Sequence, residues 1–188
     1  ETNLDSETDS AQVELSEPQQ KAFTEISSAF AEKQPVLLHG VTSSGKTEIY
    51  IKLIQDTLAQ GRKVLYLLPE IAITAQIIAR LEKYFGTSVK VYHSRHTASA
   101  RAGVYNAVLG NKYEILLGVR SAIFLPYDNL GLIIVDEEHE NSYKQFDPDP
   151  RYNARDMALV LGKIHNANVI LGSATPSASI VSTAVRDV

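Results

Sequence analysis

Short apolar runs alternate along the chain with stretches in which apolar residues recur at helical spacing. Runs of strand length occur at residues 36–38, 64–68, 89–92, 113–117, 130–135 and 168–171, the last of which we predict to be the final strand. Between the runs, spacings such as that of Ala22, Ile26 and Phe30 are typical of amphipathic helices. Strands that are apolar on both faces need cover on both sides. The pattern therefore predicts an α/β fold with a doubly wound, mostly parallel sheet and helices on both faces.

Capping residues set the predicted helix boundaries. Ser16 is a suitable N-cap for a first helix with Pro18 in its first turn, and Asn153 is a suitable N-cap for a fifth. The three helices between them are predicted to begin at residues 46, 69 and 97 and to end at Gly61, Gly86 and Gly110. The inward face of the fourth helix is predicted to be Val104, Tyr105, Val108 and Leu109. The fifth helix is predicted to run through Met157, Val160, Leu161 and Ile164.

Residues 40–47 match the phosphate-binding loop pattern G-x-x-x-x-G-K-[ST] at every specified position. The loop follows an apolar strand and opens a helix, so backbone N–H groups and the positive helix end can face one anion. A plain Gly/Ser turn is the alternative. We predict that Lys46 contacts the outer phosphates and that Thr47 holds Mg²⁺. The predicted nucleotide-binding residues of the loop are Gly40, Thr42, Ser43, Ser44, Gly45, Lys46 and Thr47.

Three acids and a histidine, Asp136 to His139, directly follow the apolar run at residues 130–135. Adjacent carboxylates repel one another, so the cluster needs a compensating cation, which Mg²⁺ can supply. The carboxyl ends of parallel strands line the ligand crevice in such sheets. We predict that Asp136 holds Mg²⁺ and that Glu137 polarises the water that attacks the γ-phosphorus. The alternative is an exposed acidic turn.

A third motif, G-S-A-T-P at residues 172–176, completes an ordered set. The order G-x-x-x-x-G-K-T, D-E-x-H and S-A-T resembles the superfamily-2 helicases. Over residues 15–185 the chain further resembles the primosomal replication-restart helicases of bacteria. The most discriminating segments are D-E-E-H, S-Y-K-Q and R-Y-x-A-R-D, at residues 136–139, 142–145 and 151–156.

The resemblance implies a RecA-like first motor lobe of P-loop NTPase type over residues 15–188, with ATP and Mg²⁺ as cofactors. In the full-length protein, this lobe would couple ATP hydrolysis to 3′–5′ unwinding of fork DNA in replication restart. The implied partners are single-stranded and forked DNA, a second helicase lobe, and primosome or replication-restart proteins. The chain stops soon after G-S-A-T-P, so we expect an excised lobe that hydrolyses ATP weakly or not at all.

The same resemblance assigns residues beyond the loop. Gln19 would recognise adenine, and His139 would join Lys46, Asp136 and Glu137 in the catalytic set. Residues that would contact DNA or couple it to ATP are Thr74, Gln76, Arg120, Ser121, Tyr143, Lys144, Arg151, Tyr152, Ser173 and Thr175.

The segment 143–152 has physical support for such a function. Its rings, Tyr143, Phe146 and Tyr152, are interleaved with Lys144 and Arg151, which offers base stacking beside phosphate contacts. The alternative is a surface loop whose rings pack on the sheet edge.

Composition narrows the remaining possibilities. Six of the 22 acids lie in the first 17 residues, which contain no base, and we interpret residues 1–14 as a flexible acidic linker or a cloning remnant. The absence of cysteine excludes thiolate zinc sites, and no apolar run could span a membrane. We therefore expect a cytoplasmic bacterial protein without membrane partners. His93 and His96 could share a helix face as metal ligands, but we expect a polar surface there and no metal other than Mg²⁺.

Three rival functions stay open. One is another superfamily-2 translocase of the fork-regression type. A second is a nucleotide-binding module with no motor function. A third is a P-loop domain that docks partners through residues 95–112.

Overall fold

The structure of the protein is a computed structural model that describes residues 13–41, 44–93, 95–176 and 184–187. This part of the chain forms one sheet of seven parallel strands in the order β3-β4-β2-β5-β6-β1-β7. The strands are β1 (Val36–His39), β2 (Lys63–Leu67), β3 (Val89–Tyr92), β4 (Ile115–Gly118), β5 (Leu130–Val135), β6 (Asn168–Ser173) and β7 (Ala184–Asp187).

Five α-helices cover the two faces of the sheet within the described ranges. They are α1 (Glu17–Ala31), α2 (Lys46–Ala59), α3 (Ala75–Phe85), α4 (Ala98–Leu109) and α5 (Ala154–His165). Buried residues of α1, α2 and α3 pack in one apolar cluster, and those of α4 and α5 pack in a second. The predicted doubly wound α/β fold with helices on both faces is confirmed. None of the helices in the described ranges is long and apolar enough to cross a membrane.

Strand β5 shows why the central runs lack a polar face. All six of its residues are buried. Leu132 and Ile134 belong to the cluster under α1, α2 and α3, whereas Ile133 and Val135 belong to the cluster under α4 and α5. Because alternate side chains point to opposite faces, both sets must be apolar. Strands β2 and β6 flank β5 in parallel and end beside it, so their carboxyl ends form one edge.

Two predictions about the elements are wrong. The third helix begins at Ala75 rather than at residue 69, because the Thr74 hydroxyl caps it by accepting from the N–H of Ile77 at 3.4 Å. A separate 3-10 turn, Glu70–Ala72, precedes it. The run at residues 168–171 is not the last strand, since β7 pairs with β1. The sequence of β7 is four residues long and includes Arg186 and Asp187, so it offers no apolar run.

The predicted inward face of α4 is wrong in part. Tyr105 and Leu109 are exposed, and Val108 is the buried residue of α4. Val160 and Ile164 of α5 are exposed. In α5, the buried face consists of Ala154, Ala158 and Gly162. Small side chains at this spacing let the helix lie close to the sheet, which rotates its larger apolar residues towards the rim.

Candidate nucleotide-binding and catalytic site

A cleft of about 620 Å³ lies where the phosphate loop meets the acid cluster. Strand β6 separates β1 from β5 in the sheet, so the carboxyl ends of three neighbouring strands meet here. The cleft is lined by residues of α1, the phosphate loop, α2, α3 and the end of β5: Glu14, Ser16, Gln19, Ser44, Gly45, Lys46, Thr47, Glu48, Arg80, Asp136 and Glu137. The sequence motifs predicted to bind nucleotide are thereby brought to one surface.

The phosphate loop has the geometry of an anion-binding turn. Gly45 is the N-cap of α2 with φ of 91°, a left-handed conformation that favours glycine. Lys46 is buried and donates from Nζ to the carbonyl oxygen of Gly40 at 2.6 Å. The Ser44 hydroxyl is buried and has no hydrogen-bond partner among the described residues. A phosphate group fits this donor set, because it offers acceptors for an orphaned hydroxyl and a buried cation. Thr42 and Ser43 lie outside the described residues.

Gln19 reaches the phosphate loop from α1. Its Oε1 accepts from the backbone N–H of Ser16 at 2.7 Å, which closes the predicted N-cap of the helix. Its Nε2 donates to the carbonyl oxygen of Gly45 at 3.3 Å. A Cβ atom at Gly45 would lie 1.9 Å from that nitrogen, so any side chain there would displace the Gln19 amide. Gln19 therefore links α1 to the loop.

Asp136 lies at the end of β5 with its carboxylate turned into the cleft. Its backbone N–H donates to the carbonyl oxygen of Leu67 at 3.0 Å, which continues the pairing with β2. Burial raises the pKa of Asp136, while a hydrogen bond from Tyr50 and the charge of Lys46 lower it. Thr47 lines the same cleft, so its hydroxyl and the Asp136 carboxylate are the oxygen donors that Mg²⁺ prefers.

Glu137 has an unusual backbone for a residue with a side chain. Its φ of 49° is left-handed, a conformation that non-glycine residues rarely adopt and that clusters at functional sites. Burial, and next the nearby Asp136, raise the pKa of Glu137. A carboxylate with a raised pKa is a better proton acceptor, as a residue that activates water requires.

His139 connects the acid cluster to the last sequence motif. Its Nδ1 lies 2.8 Å from the hydroxyl of Ser173, and the same hydroxyl accepts from the N–H of Thr175 at 3.2 Å. The N–H of Gly40 donates to the carbonyl oxygen of Ser173 at 3.1 Å. The ends of β1, β5 and β6 are thus joined by direct hydrogen bonds.

The interpretation that all three adjacent acids need Mg²⁺ as a compensating cation is wrong for Glu138. Its side chain is fully buried and forms an ion pair with Arg155 of α5 at 3.1 Å. Its N–H donates to the carbonyl oxygen of Gly172 at 2.9 Å. Only Asp136 and Glu137 of the three face the cleft. The left-handed backbone at Glu137 directs the side chain of Glu138 away from the cleft that Asp136 and Glu137 face.

Four of the residues predicted to contact DNA or to couple it to ATP lie beyond the ends of β2 and β4: Thr74, Gln76, Arg120 and Ser121. Thr74 and Gln76 are exposed at the start of α3, and Ser121 is exposed on the 3-10 turn Arg120–Phe124. Arg120 is partly buried and donates to the carbonyl oxygen of Lys144 at 2.9 Å. The Arg120 guanidinium is therefore already bound to the backbone at Lys144.

Residues 143–152, which we call the aromatic segment, fold back on themselves. Lys144 pairs with Asn153 in an antiparallel bridge. Phe146 is 60% exposed beneath the Lys144 ammonium, whose Nζ lies 4.7 Å from the ring centroid. Tyr152 packs against Phe124 with centroids 4.8 Å apart. Arg151 is exposed.

The prediction that Tyr143 offers a ring for base stacking is wrong for this structure. The residue is 1% exposed. Its hydroxyl donates to the carbonyl oxygens of Asp136 at 2.6 Å and Leu67 at 3.1 Å. The alternative of a ring packed against the sheet applies to Tyr143. The segment is thereby attached to the strand end that carries Asp136.

Sequence reasoning missed several residues of the cleft. Arg80 of α3 pairs with Glu48 of α2 at its rim. The hydroxyls of Tyr50 and Tyr66 donate hydrogen bonds to the Asp136 carboxylate from its buried side. Both tyrosines lie in apolar runs, where an aromatic residue is an ordinary core residue, so no local signal distinguishes them. The ring centroids of His93 and His96 lie 4.0 Å apart, outside the cleft.

The fold and the cleft together define a P-loop nucleotide-binding domain with an acidic motif at the end of β5. The sequence profile of the DEAD/DEAH box helicases matches residues 16–183, and the chain belongs to this family. Family membership implies a nucleotide-binding lobe.

Curated relatives make the similarity more specific. The chain is 47% identical over 163 residues to the replication restart protein PriA of Rickettsia prowazekii, and 41% identical over 176 residues to PriA of Bacillus subtilis. These alignments cover 87% and 93% of the chain but 24% and 22% of the relatives. The chain therefore spans about a quarter of their length. The resemblance to primosomal replication-restart helicases is confirmed.

A solved structure supports the fold. RecG bound to a three-way DNA junction superimposes with a TM-score of 0.61 and 22% identity, covering 87% of the chain and 21% of RecG. At that identity the likeness shows the RecA-like fold alone.

Proposed function

We propose that residues 15–188 form the first motor lobe of a DNA helicase of the replication-restart type, which binds ATP with Mg²⁺ in the cleft. One observation carries the proposal: a phosphate loop, an Asp-Glu pair and a His–Ser contact meet at the ends of three adjacent strands. A phosphate loop alone indicates only nucleotide binding. The His139–Ser173 contact connects that site to the end of β6. A motor needs such a connection, because the state of the nucleotide must reach the residues that contact DNA.

Each residue of the cleft has a separate function that follows from its position. Lys46 and the loop N–H groups bind the phosphates, and Thr47 and Asp136 hold the cation. When bound, Mg²⁺ supplies positive charge that offsets the charge of the phosphate oxygens. Glu137 accepts the proton of the attacking water, and Gln19 contacts adenine.

The DNA side of the proposal uses exposed residues at the same end of the sheet. Thr74, Gln76 and Ser121 offer small polar groups for a phosphate backbone, and Arg120 borders them. Lys144, Phe146 and Arg151 present cations and one exposed ring, which suits single-stranded DNA. His139, Ser173 and Thr175 would transmit the state of the γ-phosphate. In the full-length bacterial protein, hydrolysis would drive 3′–5′ unwinding of forks together with a second lobe and primosome proteins, in the cytoplasm.

The first test separates nucleotide binding from DNA binding in the 188-residue chain. Melting temperature is measured with and without ATP and Mg²⁺, and binding of a fluorescent single strand is measured by anisotropy. Lys46→Ala should abolish the nucleotide-induced rise in melting temperature. The matched control Lys144→Ala removes an exposed lysine and should keep that rise while weakening DNA binding. An unchanged rise in Lys46→Ala would contradict the proposal.

A second test concerns hydrolysis. We expect the chain alone to hydrolyse ATP slowly, because related nucleotide hydrolases gain about 10³ to 10⁵ in rate from an arginine supplied across the cleft. Robust DNA-stimulated turnover by the chain alone would contradict this expectation. In the full-length protein, Lys46→Ala should abolish unwinding. Retained unwinding would favour a nucleotide-binding module with no motor function, and a preference for regressing forks would favour a fork-regression translocase.

A further inference from the structure

Two buried tyrosines lie behind the carboxylate of Asp136. Tyr50, on α2, donates from its hydroxyl to Oδ1 at 3.1 Å. Tyr66, on β2, donates to Oδ2 at 3.3 Å. Both residues are 0% exposed, and their rings meet edge to face with centroids 5.6 Å apart. Each carboxylate oxygen therefore has its own phenol donor from a different element.

The surrounding backbone leaves room for this arrangement. The Glu137 N–H also donates to Oδ1 of Asp136, at 3.1 Å. A Cβ atom at Gly172 of β6 would lie 1.8 Å from the Tyr50 hydroxyl and 2.8 Å from Oδ1 of Asp136. Only a residue without a side chain lets strand, phenol and carboxylate meet. Phenylalanine would fill the same apolar volume, so the two hydroxyls serve Asp136 rather than the packing.

We propose that Tyr50 and Tyr66 are positioning residues that fix the orientation of the Asp136 carboxylate for Mg²⁺. The inference rests on the proposed function and adds the groups that hold the metal ligand. A carboxylate bound at both oxygens cannot rotate about its terminal bond without breaking a hydrogen bond. Partners of this kind orient metal ligands and contribute to metal affinity.

Electrostatics agrees with the geometry. Burial raises the pKa of both phenols, and the charge of Asp136 raises it further. The phenols therefore keep their protons, and act as donors, throughout the neutral range.

The test compares nucleotide affinity with and without the metal. For the 188-residue chain, Tyr50→Phe, Tyr66→Phe and the double variant, calorimetry gives the Kd of a non-hydrolysable ATP analogue in Mg²⁺ and in EDTA. The readout is the ratio of the two constants within each protein, which does not depend on the folded fraction. We expect the double variant to lose about 10-fold or more of the Mg²⁺-dependent gain, and each single variant to lose less. The affinity in EDTA should stay unchanged.

Tyr127→Phe is the matched control. Tyr127 is 9% exposed, and its hydroxyl donates to the carbonyl oxygen of Ala122 at 2.6 Å, in the apolar cluster under α4 and α5. The variant loses a buried phenol hydroxyl remote from the cleft, so its ratio should equal that of the unchanged chain.

The outcomes separate the two proposals. An unchanged chain that binds no nucleotide in either condition contradicts the proposed function and this inference together. Mg²⁺-dependent binding that the double variant retains in full overturns the inference alone. A parallel loss in Mg²⁺ and in EDTA also overturns it, because the tyrosines would then be structural only.

Discussion

Two arginine–carboxylate pairs distinguish the wall of the nucleotide cleft from the aromatic segment. Behind the cleft, Arg155 and Glu138 lie 3.1 Å apart, and their side chains are 12% and 0% exposed. In the aromatic segment, Arg151 and Asp149 lie 3.2 Å apart, and their side chains are 74% and 81% exposed. The two distances are nearly equal, but the first pair is buried and the second is exposed to solvent. A buried charge depends on its partner, whereas an exposed pair is solvated with or without it.

The same contrast holds for the aromatic residues. Tyr50, Tyr66 and Tyr143 are buried, and all three donate hydrogen bonds to Asp136. Phe146 is exposed, with a lysine over its ring. Buried partners therefore orient a few polar groups of the cleft, whereas Lys144, Phe146 and Arg151 of the aromatic segment stay available to a ligand. Loss of a buried charged partner behind the cleft should lower stability, and loss of an exposed residue of the aromatic segment should weaken ligand binding.

The largest expected effect is the loss of the buried ion pair. Arg155→Met should lower the free energy of unfolding by about 3–5 kcal/mol, because it leaves the Glu138 carboxylate buried without this cation. The matched control Arg151→Met removes the same charge from the exposed pair and should cause no measurable change. Urea denaturation followed by circular dichroism gives both values. Equal effects in the two variants would show that burial does not distinguish the two ion pairs.

A smaller effect is expected from Gly172→Ala. The new methyl group would overlap the Tyr50 hydroxyl and crowd Asp136, so we expect a loss of about 1–3 kcal/mol of stability. Gly103→Ala, at an exposed helical glycine whose added Cβ meets nothing within 4 Å, is the control. Thermal melts of both variants check the prediction. If Gly172→Ala were as stable as the unchanged chain, the contact around Asp136 would be looser than the distances indicate.

Tyr143→Phe tests whether the aromatic segment is fastened to the cleft by its first ring. The phenol bridges two strand ends, so the variant should lose about 1 kcal/mol of stability. Hydrogen exchange should show faster opening at residues 143–153 while the sheet stays protected. Unchanged exchange there would mean that other contacts, such as those of Arg120, hold the segment alone.

The smallest effect on stability is expected at Phe146. Phe146→Ala should change the free energy of unfolding by less than about 0.5 kcal/mol, since the ring lies at the surface. The variant should nevertheless weaken single-strand binding, as measured by anisotropy, because an exposed ring beside a cation is a stacking platform. A large destabilisation without a change in DNA binding would reverse the assignment of the two regions.

The amount that could be predicted from the sequence differs between elements. The runs at residues 130–135 and 36–38 are apolar without interruption, which suffices to predict buried parallel strands. The phosphate loop is local in sequence, so its strand, turn and helix follow from eight residues and their flanks. By contrast, the inward face of α4 depends on how closely the helix approaches the sheet, and periodicity alone misassigns Tyr105 and Leu109.

The candidate site shows the same division. Lys46, Asp136 and Glu137 were predicted from motifs, and the structure brings them to one cleft, while their chemical functions stay predictions. Glu138 was grouped with its neighbours because adjacent carboxylates repel, and nothing local indicated that Arg155 lies against it. Interleaving with Lys144 and Arg151 favours a stacking ring at Tyr143, and no local pattern indicates that its hydroxyl reaches the end of β2.

The class of fold, the phosphate loop and the other motifs can be predicted from the chain, because each depends on residues close together in it. Which partners orient those motifs depends on the three-dimensional arrangement of the elements. Tyr50 and Tyr66 are separated from Asp136 by 86 and 70 residues. Contacts at such separations arise from strand order and helix placement, and they leave no local pattern.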